Sequence, residues 1–283
     1  MGLPCGTFNT SYKKETAIFR TRLQRILLIG GIILAFLFPL FAGSYLTTFF
    51  IYVMITIISA LGLNILTGYC GQYSIGHAAF MAVGAFTVAN LVGRGVNFFI
   101  ALLAAGVFSA LAGVVFGLPS KRVKGLYLVL STLAAQFILI YVIVGWFGGD
   151  VMMHIPPVKI GEISLAFPRN YWYLVLVILL VMTYLARNIA RTKAGRAFIA
   201  IRDNDIAAEA MGINTFNYKL LAFAIGCFYA GIAGGLWATF VSIADSSQYA
   251  LSESIWYLGI VIVGGMGSVA GTYFGAIFIR GIK

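Results

Sequence analysis

Leu126 to Phe147 reads LYLVLSTLAAQFILIYVIVGWF, a run with no charged residue, and runs like it recur along the chain. About 20 mostly apolar residues in a helix cross the roughly 30 Å of a bilayer's hydrocarbon. By that measure the candidate spans are Ile26–Ala42, Leu46–Leu66, Ala78–Val92, Phe98–Leu118, Leu126–Phe147, Tyr171–Ile189, Leu220–Val241 and Ile255–Ile279. The expectation is an all-α, polytopic membrane protein of about eight helices. The third span is short and follows a glycine-rich stretch, which predicts a broken or re-entrant piece there. Charged residues are 10% of the chain, against about 25% in a soluble domain, too few to solvate a water-facing surface. Cys5, Cys70 and Cys227 lack metal-ligand spacing; Cys70 and Cys227 lie in apolar segments as small packing residues.

The basic residues set a direction. With a cytoplasmic N-terminus, 16 of the 19 Lys and Arg fall on the inside, leaving Arg94, Lys159 and Arg169 outside. The acids divide evenly, so the bias is carried by Lys and Arg, as the positive-inside rule requires. This places Arg280 and Lys283 inside after the last span and Asp245 and Glu253 outside before it. The net charge of +11 is thereby a topology signal, and no nucleic-acid-binding face with stacking aromatics accompanies it. The domain organisation expected is a cytoplasmic segment over 1–25 and a single transmembrane domain over 26–283. That domain carries a long external loop at 148–170 and a cytoplasmic loop at 191–217.

The cytoplasmic loop contains TKAGRAFIAIRDNDIAAEAMG, Thr192 to Gly212. Asp203, Asn204 and Asp205 can cap free backbone N–H groups at a helix start. Ile206 to Met211 are good helix formers, and Gly212 suits a left-handed stop. The product is a short helix, about 10 Å long at 1.5 Å per residue. Ala207, Ala208 and Ala210 make its surface small, with Glu209 among them. Small side chains allow close approach to a partner while flanking charges set register.

Two glycine-rich membrane stretches follow a similar logic. Gly62–Phe86 is GLNILTGYCGQYSIGHAAFMAVGAF and Gly264–Phe278 is GGMGSVAGTYFGAIF. Gly68, Gly71, Gly76 and Gly84 permit close helix approach and local unwinding. Unwound backbone at membrane depth persists only when buried in protein or lining a wet cavity. Gly68, Gly71, Gln72, Ser74, Gly76 and His77, with Gly264, Gly265, Gly267 and Ser268, are therefore the candidates for the translocation path or its gate. For Asn64, Ser74 and Gln136 the competing reading is interhelical hydrogen bonding, worth about 0.6 kcal/mol each. The segments 71–84 and 265–275 share a Gly, then a Ser, then a Phe six residues after the Ser, a trace of internal repetition.

These residues carry a resemblance. Ala207-Ala208-Glu209-Ala210-Met211-Gly212 resembles the EAA-type motif of ATP-binding-cassette importer permeases, whose segment seats on the ATPase as the coupling helix. The two glycine-rich stretches resemble the permeases of branched-chain amino-acid importers. LPSKRVKGLYL, Leu118 to Leu128, is similar to the M-type of the two homologous permeases in that system. The external run GGDVMMHIPP departs from the family's more glycine-rich pattern. The resemblance implies a permease subunit in a bacterial inner membrane, coupled through Asp203, Asp205, Ala207, Ala208, Glu209, Ala210 and Gly212 to cytoplasmic ATP-binding subunits. It implies a second, homologous or identical permease subunit and an external solute-binding protein. ATP and Mg would lie on the partner ATPase, with no cofactor or metal in this chain, which is then not itself an enzyme.

No GxxxxGK[ST] phosphate-binding loop occurs, so an ATPase must be a separate chain. A permease for urea or short amides is an alternative within the same class. An autonomous, ion-coupled carrier would need ionisable residues within its spans. No Asp or Glu lies in the body of a candidate span, and His77, at the head of the third, is the only credible titratable candidate for coupling an ion. A Ser/His hydrolase lacks any recognisable catalytic context around Ser268, His77 or His154.

Overall fold

The computed structural model describes residues 22–121, 123, 125–147, 152–156, 158–160, 163–164 and 167–282. Most of the expected cytoplasmic segment 1–25 and the start of the external loop lie outside the described residues. Helix α1 spans Arg22–Phe41 and belongs, with the chain as far as Leu46, to one unit; the chain from Thr47 onward forms a second.

Helix α2 spans Ser44–Leu63 and passes directly into a π-helical turn, Asn64–Tyr69. An irregular strand of chain over 70–76 leads to α3, His77–Gly93. Next come α4, Phe98–Gly117, a 3-10 turn at Leu118–Lys121 and α5, Leu126–Phe147. Strand β1 (Met152–His154) and the small pair β2 (Lys159–Ile160) and β3 (Ile163–Ser164) lead to α6, Pro168–Arg191. Two shorter helices, α7 (Lys193–Asp203) and α8 (Asp205–Ala210), precede the 27-residue α9, Thr215–Val241. Strand β4 (Ile243–Asp245), a 3-10 turn at Ser246–Tyr249, α10 (Leu251–Gly264) and α11 (Val269–Ile282) complete the described chain.

Val, Ile and Thr crowd α2, and such β-branched residues are indifferent helix formers in water. In lipid the backbone must satisfy its own hydrogen bonds, so a helix forms regardless of that preference. From Val53 to Gly68 α2 and its π-turn are buried on every side, and α9 is buried along most of its length. These two helices form the centre. Small residues let the others approach: a Cβ on Gly84 of α3 would lie 2.2 Å from the Gly231 carbonyl oxygen of α9. Cys227, fully buried, fills the facing surface of α4 beside Gly113. Leu103, Val107 and Leu111 of α4, Phe137 of α5 and Val177 and Val181 of α6 turn apolar side chains outward. That is the outer surface of a bundle immersed in lipid.

Among the described residues, five helices are long and apolar enough to span a membrane, and three apolar helices are shorter. α5 has the bounds expected from hydropathy, and α3 is the short helix expected after the glycine-rich stretch. The last expected span, Ile255–Ile279, is corrected: it is two 14-residue helices, α10 and α11. They fold back antiparallel on each other. A Cβ on Gly264 would meet the Gly271 oxygen at 2.3 Å, and one on Gly275 the Ile260 oxygen at 2.3 Å. Farther from the turn, Arg280 meets Glu253. Arg280 is thus carried back to Thr56, midway along the Ser44–Tyr69 span, and not to the end that holds the 191–217 loop. Lys283 lies outside the described residues.

At the opposite end from that loop, β1 pairs antiparallel with β4, matching Met152 to Asp245 and His154 to Ile243. The external run that departs from the family pattern is therefore tied to the chain leaving α9. Asp245 is a local cap there, accepting the Ser247 backbone N–H at 2.9 Å and its hydroxyl.

Candidate coupling site and broken-helix junction

The loop over 191–217 is more structured than the sequence reading anticipated. Thr192 caps α7, whose Gly195, Ala197, Phe198 and Ile201 turn inward. Of the three expected capping residues, Asn204 does the capping: its Oδ1 accepts the N–H groups of Ile206 and Ala207, each at 3.1 Å. Asp203 ends α7 and pairs with Arg202 at 3.1 Å. Asp205 opens α8 and pairs with Lys219 at 3.2 Å, a lysine only 5% exposed that anchors the loop to the root of α9. Gly212 has φ +82° and stops the helix as expected. Six residues at 1.5 Å give α8 a length of about 9 Å.

Ala208 faces inward, whereas Ala207, Glu209, Ala210 and Gly212 are exposed. Ile206 and Met211 flank them, 73% and 84% exposed. Two large apolar side chains thus stand exposed on a short helix whose other exposed side chains are mostly small. Their signal in sequence was hidden, because apolar residues in a short helix read first as its buried side.

Arg202 joins this loop to the membrane segments. Its Nη1 donates to the Gly68 carbonyl oxygen at 3.0 Å, at the end of the π-helical turn. A Cβ on Gly71 would lie 2.9 Å from Arg202 Cγ, and one on Gly267 would lie 3.2 Å from its Nη1. Gly71, at φ +70°, and Gly267, at φ +79°, are both in backbone conformations that suit glycine. Gly68, Gly71 and Gly267 thus meet around one arginine side chain. Arg202 was not singled out in the sequence, where it reads as one more positive charge of the inside loop.

Asn64 closes the same junction from within. Its Nδ2 donates to the Ser268 carbonyl oxygen and to Thr272 Oγ1, both at 3.1 Å, and its Oδ1 accepts the Gly267 N–H at 2.8 Å. The tip of the α10–α11 turn, Gly265 to Ser268, is held in this way against the π-turn. Gly264 supplies the tight contact with Gly271, and Gly265, at φ +97°, ends α10.

The remaining expected residues lie on the climb from the π-turn to α3. Gln72 is buried and donates to the Cys70 carbonyl oxygen at 3.4 Å; Ser74 is buried, and its hydroxyl has no partner among the described residues. Gly76 packs against the Thr132 carbonyl oxygen of α5. His77 is fully enclosed, its Nε2 3.0 Å from both the carbonyl oxygen and Oγ of Ser59. That geometry holds the broken helix start against α2. Three backbone N–H groups around that start are taken by neighbours. Ile75 donates to Thr132 Oγ1 at 3.1 Å, Ala78 to Ser254 Oγ at 2.9 Å and Ala79 to Gln136 Oε1 at 3.0 Å. Gln136 in turn donates to the Tyr249 carbonyl oxygen at 2.7 Å, joining α5 to the 3-10 turn before α10.

Residues 45–283 match the family described as the branched-chain amino acid transport system permease component. The chain belongs to that family. The LivM high-affinity branched-chain amino acid permease of Escherichia coli K12 is 30% identical over 284 residues, covering 90% of this chain and 67% of that protein. A probable LivM permease of Methanocaldococcus jannaschii is 24% identical over 264 residues, covering 78% and 75%. An autoinducer 2 import permease, LsrC of Enterobacter sp. 638, is 26% identical over 206 residues, covering 70% and 59%. No solved structure matches the chain. The protein is therefore a multi-pass inner-membrane permease component with a transport role, and the junction just described is a feature of its transmembrane domain. Among the described residues no group of three or more His, Cys, Asp or Glu could hold a metal.

Proposed function

We propose that this permease forms the membrane path for a branched-chain amino acid, in an importer driven by cytoplasmic ATP-binding subunits that seat on α8. The relatives named for branched-chain amino acids support the solute. A second homologous permease subunit would complete the path, and an external binding protein would deliver solute at the β1–β4 end. ATP and Mg belong to the ATPase.

The single observation that carries the coupling role is the Arg202 bridge from the root of α8 to Gly68 and Gly267. An ATPase that pulls on Ile206, Glu209 and Met211 also pulls Arg202 and, through it, the turn where two discontinuous helices meet. Discontinuous helices at membrane depth are where transporters change access. Alternating access then needs no large deformation of the α2–α9 centre.

The test is co-purification of the importer in mild detergent. The wild type is expected to bring down an ATPase, and Glu209→Arg to lose it by at least tenfold, since like charges facing across an interface cost several kcal/mol. Retention of the ATPase by Glu209→Arg, by Ile206→Asp and by Met211→Asp would remove α8 as the seat.

A further inference from the structure

After β4 the chain turns inward, and two contacts fix how deep it goes. Gln136, midway along α5, donates to the Tyr249 carbonyl oxygen at 2.7 Å and accepts the Ser254 hydroxyl at 3.1 Å. Glu253 pairs with Arg280, whose Nε donates to Thr56 Oγ1, midway along the Ser44–Tyr69 span. The chain over 249–254 therefore meets two long helices at their midpoints and not at their ends. Within it α10 begins, directly after the 3-10 turn Ser246–Tyr249. Tyr249 and Ser254 are buried, but Ala250 and Ser252 are exposed.

Non-helical backbone at membrane depth persists only where protein buries it or where it lines a water-filled cavity. The start of α3 is of the first kind: Thr132, Ser254 and Gln136 take the N–H groups of Ile75, Ala78 and Ala79. The start of α10 differs. Its N-cap is Ala250, and no side chain caps it. The Glu253 N–H returns to the Ala250 carbonyl oxygen, but a helix start leaves several N–H groups in need of an acceptor. With Ala250 and Ser252 exposed, water can reach them and lipid cannot serve.

The same turn is backed by a cavity of about 160 Å³, lined in part by Gln248, Tyr249 and Glu253. That space exceeds what one water needs. Tyr249 is 2% exposed, and its hydroxyl has no hydrogen-bond partner among the described residues. Leaving a buried hydroxyl unmet costs about 1–3 kcal/mol, which water entering behind the turn would relieve.

We infer that the chain over 249–252 and the adjoining face of α10 form a wet wall of the translocation path at mid-bilayer. Ser252 gives that wall a hydroxyl. Ile255 and Trp256, three and four residues on and so on the same face of α10, are 54% and 41% exposed. A wall of one hydroxyl and two large apolar side chains suits a small solute that is itself partly apolar. The inference rests on the chain being a path-forming permease, and not on its solute being an amino acid.

The test places single cysteines in the importer assembled in proteoliposomes. Ala250→Cys and Ser252→Cys probe the wall. Phe137→Cys is the comparison, since Phe137 is 61% exposed on α5 and adjoins Gln136, at the same depth. Cys70 and Cys227 are buried, and Cys5 is replaced by Ser throughout. A sulfonated methanethiosulfonate stays in water and attacks thiolates, so both wall cysteines should react at least about tenfold faster than Phe137→Cys. Modification at Ser252→Cys should then block that importer's ATP-dependent L-leucine uptake. Wall rates no faster than at Phe137→Cys, with uptake intact, overturn the wall and leave the transport role standing. Fast reaction that leaves uptake unchanged overturns it as part of the path. If no importer takes up L-leucine, the amino-acid reading fails, and the reaction rates alone decide the wall. Either wall cysteine suffices, so a variant that does not assemble leaves the result intact.

Discussion

Replacing Asn64 by Ala should detach the tip of the α10–α11 hairpin from the π-turn. The side chain makes three hydrogen bonds across that contact, to the Ser268 carbonyl oxygen, to Thr272 Oγ1 and from the Gly267 N–H. Interhelical bonds in membrane proteins average about 0.6 kcal/mol, which puts the three near 2 kcal/mol. The Gly267 N–H would also lose its acceptor in a part-buried place, adding about 1–3 kcal/mol. The expected loss is therefore about 3–5 kcal/mol, large against the 5–15 kcal/mol of a typical fold. Reversible unfolding in bicelles measures it, and a cycle with Thr272→Val isolates one bond, whose coupling should lie near 0.6 and not above about 1.7 kcal/mol. Cysteines placed at Met266 should become more reactive in the Asn64→Ala background. A loss under about 0.5 kcal/mol with unchanged Met266 reactivity would refute the reasoning, because the tip would then be held by something other than Asn64.

Two further outcomes follow from the packing and the cap. Gly84→Ala places a Cβ 2.2 Å from the Gly231 oxygen and should destabilise by about 1–3 kcal/mol, whereas Gly93→Ala, with nothing within 4 Å, should be neutral or stabilising by up to about 1 kcal/mol in the same unfolding assay. Asn204→Ala removes the acceptor for two α8 N–H groups and should cost about 1 kcal/mol of local stability, read as faster amide exchange at Ile206 and Ala207 with the α9 amides unchanged.

How much of this was legible depends on how local its cause is. The α5 bounds were readable because a span is set by its own apolar residues and by the charges that interrupt the run. The short helix α8 was readable because a cap and a positive-φ glycine act within a few residues of the helix they bound. The break inside Ile255–Ile279 was not, since its mean apolarity is that of a span. What splits it is the pair of positive-φ glycines at 265 and 267, together with the hydrogen bond that the Gly267 N–H gives to Asn64 Oδ1, more than 200 positions earlier. The same fold-back brings Arg280 to Glu253, so two residues that hydropathy assigns to opposite sides of the membrane share one cavity. Gly68, Gly71 and Gly267 were visible as unusual residues, but their common neighbour, Arg202, was hidden in a loop full of positive charge.

The most direct test of the account is Arg202→Met in the assembled importer, with ATP hydrolysis and solute uptake measured on the same proteoliposomes. Methionine keeps much of the side chain's bulk and removes the charged hydrogen bond to Gly68, worth about 1.5–3 kcal/mol, or roughly a 10- to 150-fold change in an equilibrium. The account predicts that hydrolysis and ATPase binding stay within about twofold of wild type, while uptake per ATP falls at least tenfold. Uptake per ATP at the wild-type value would contradict it, because the junction would then be moving without the bridge that is held to move it.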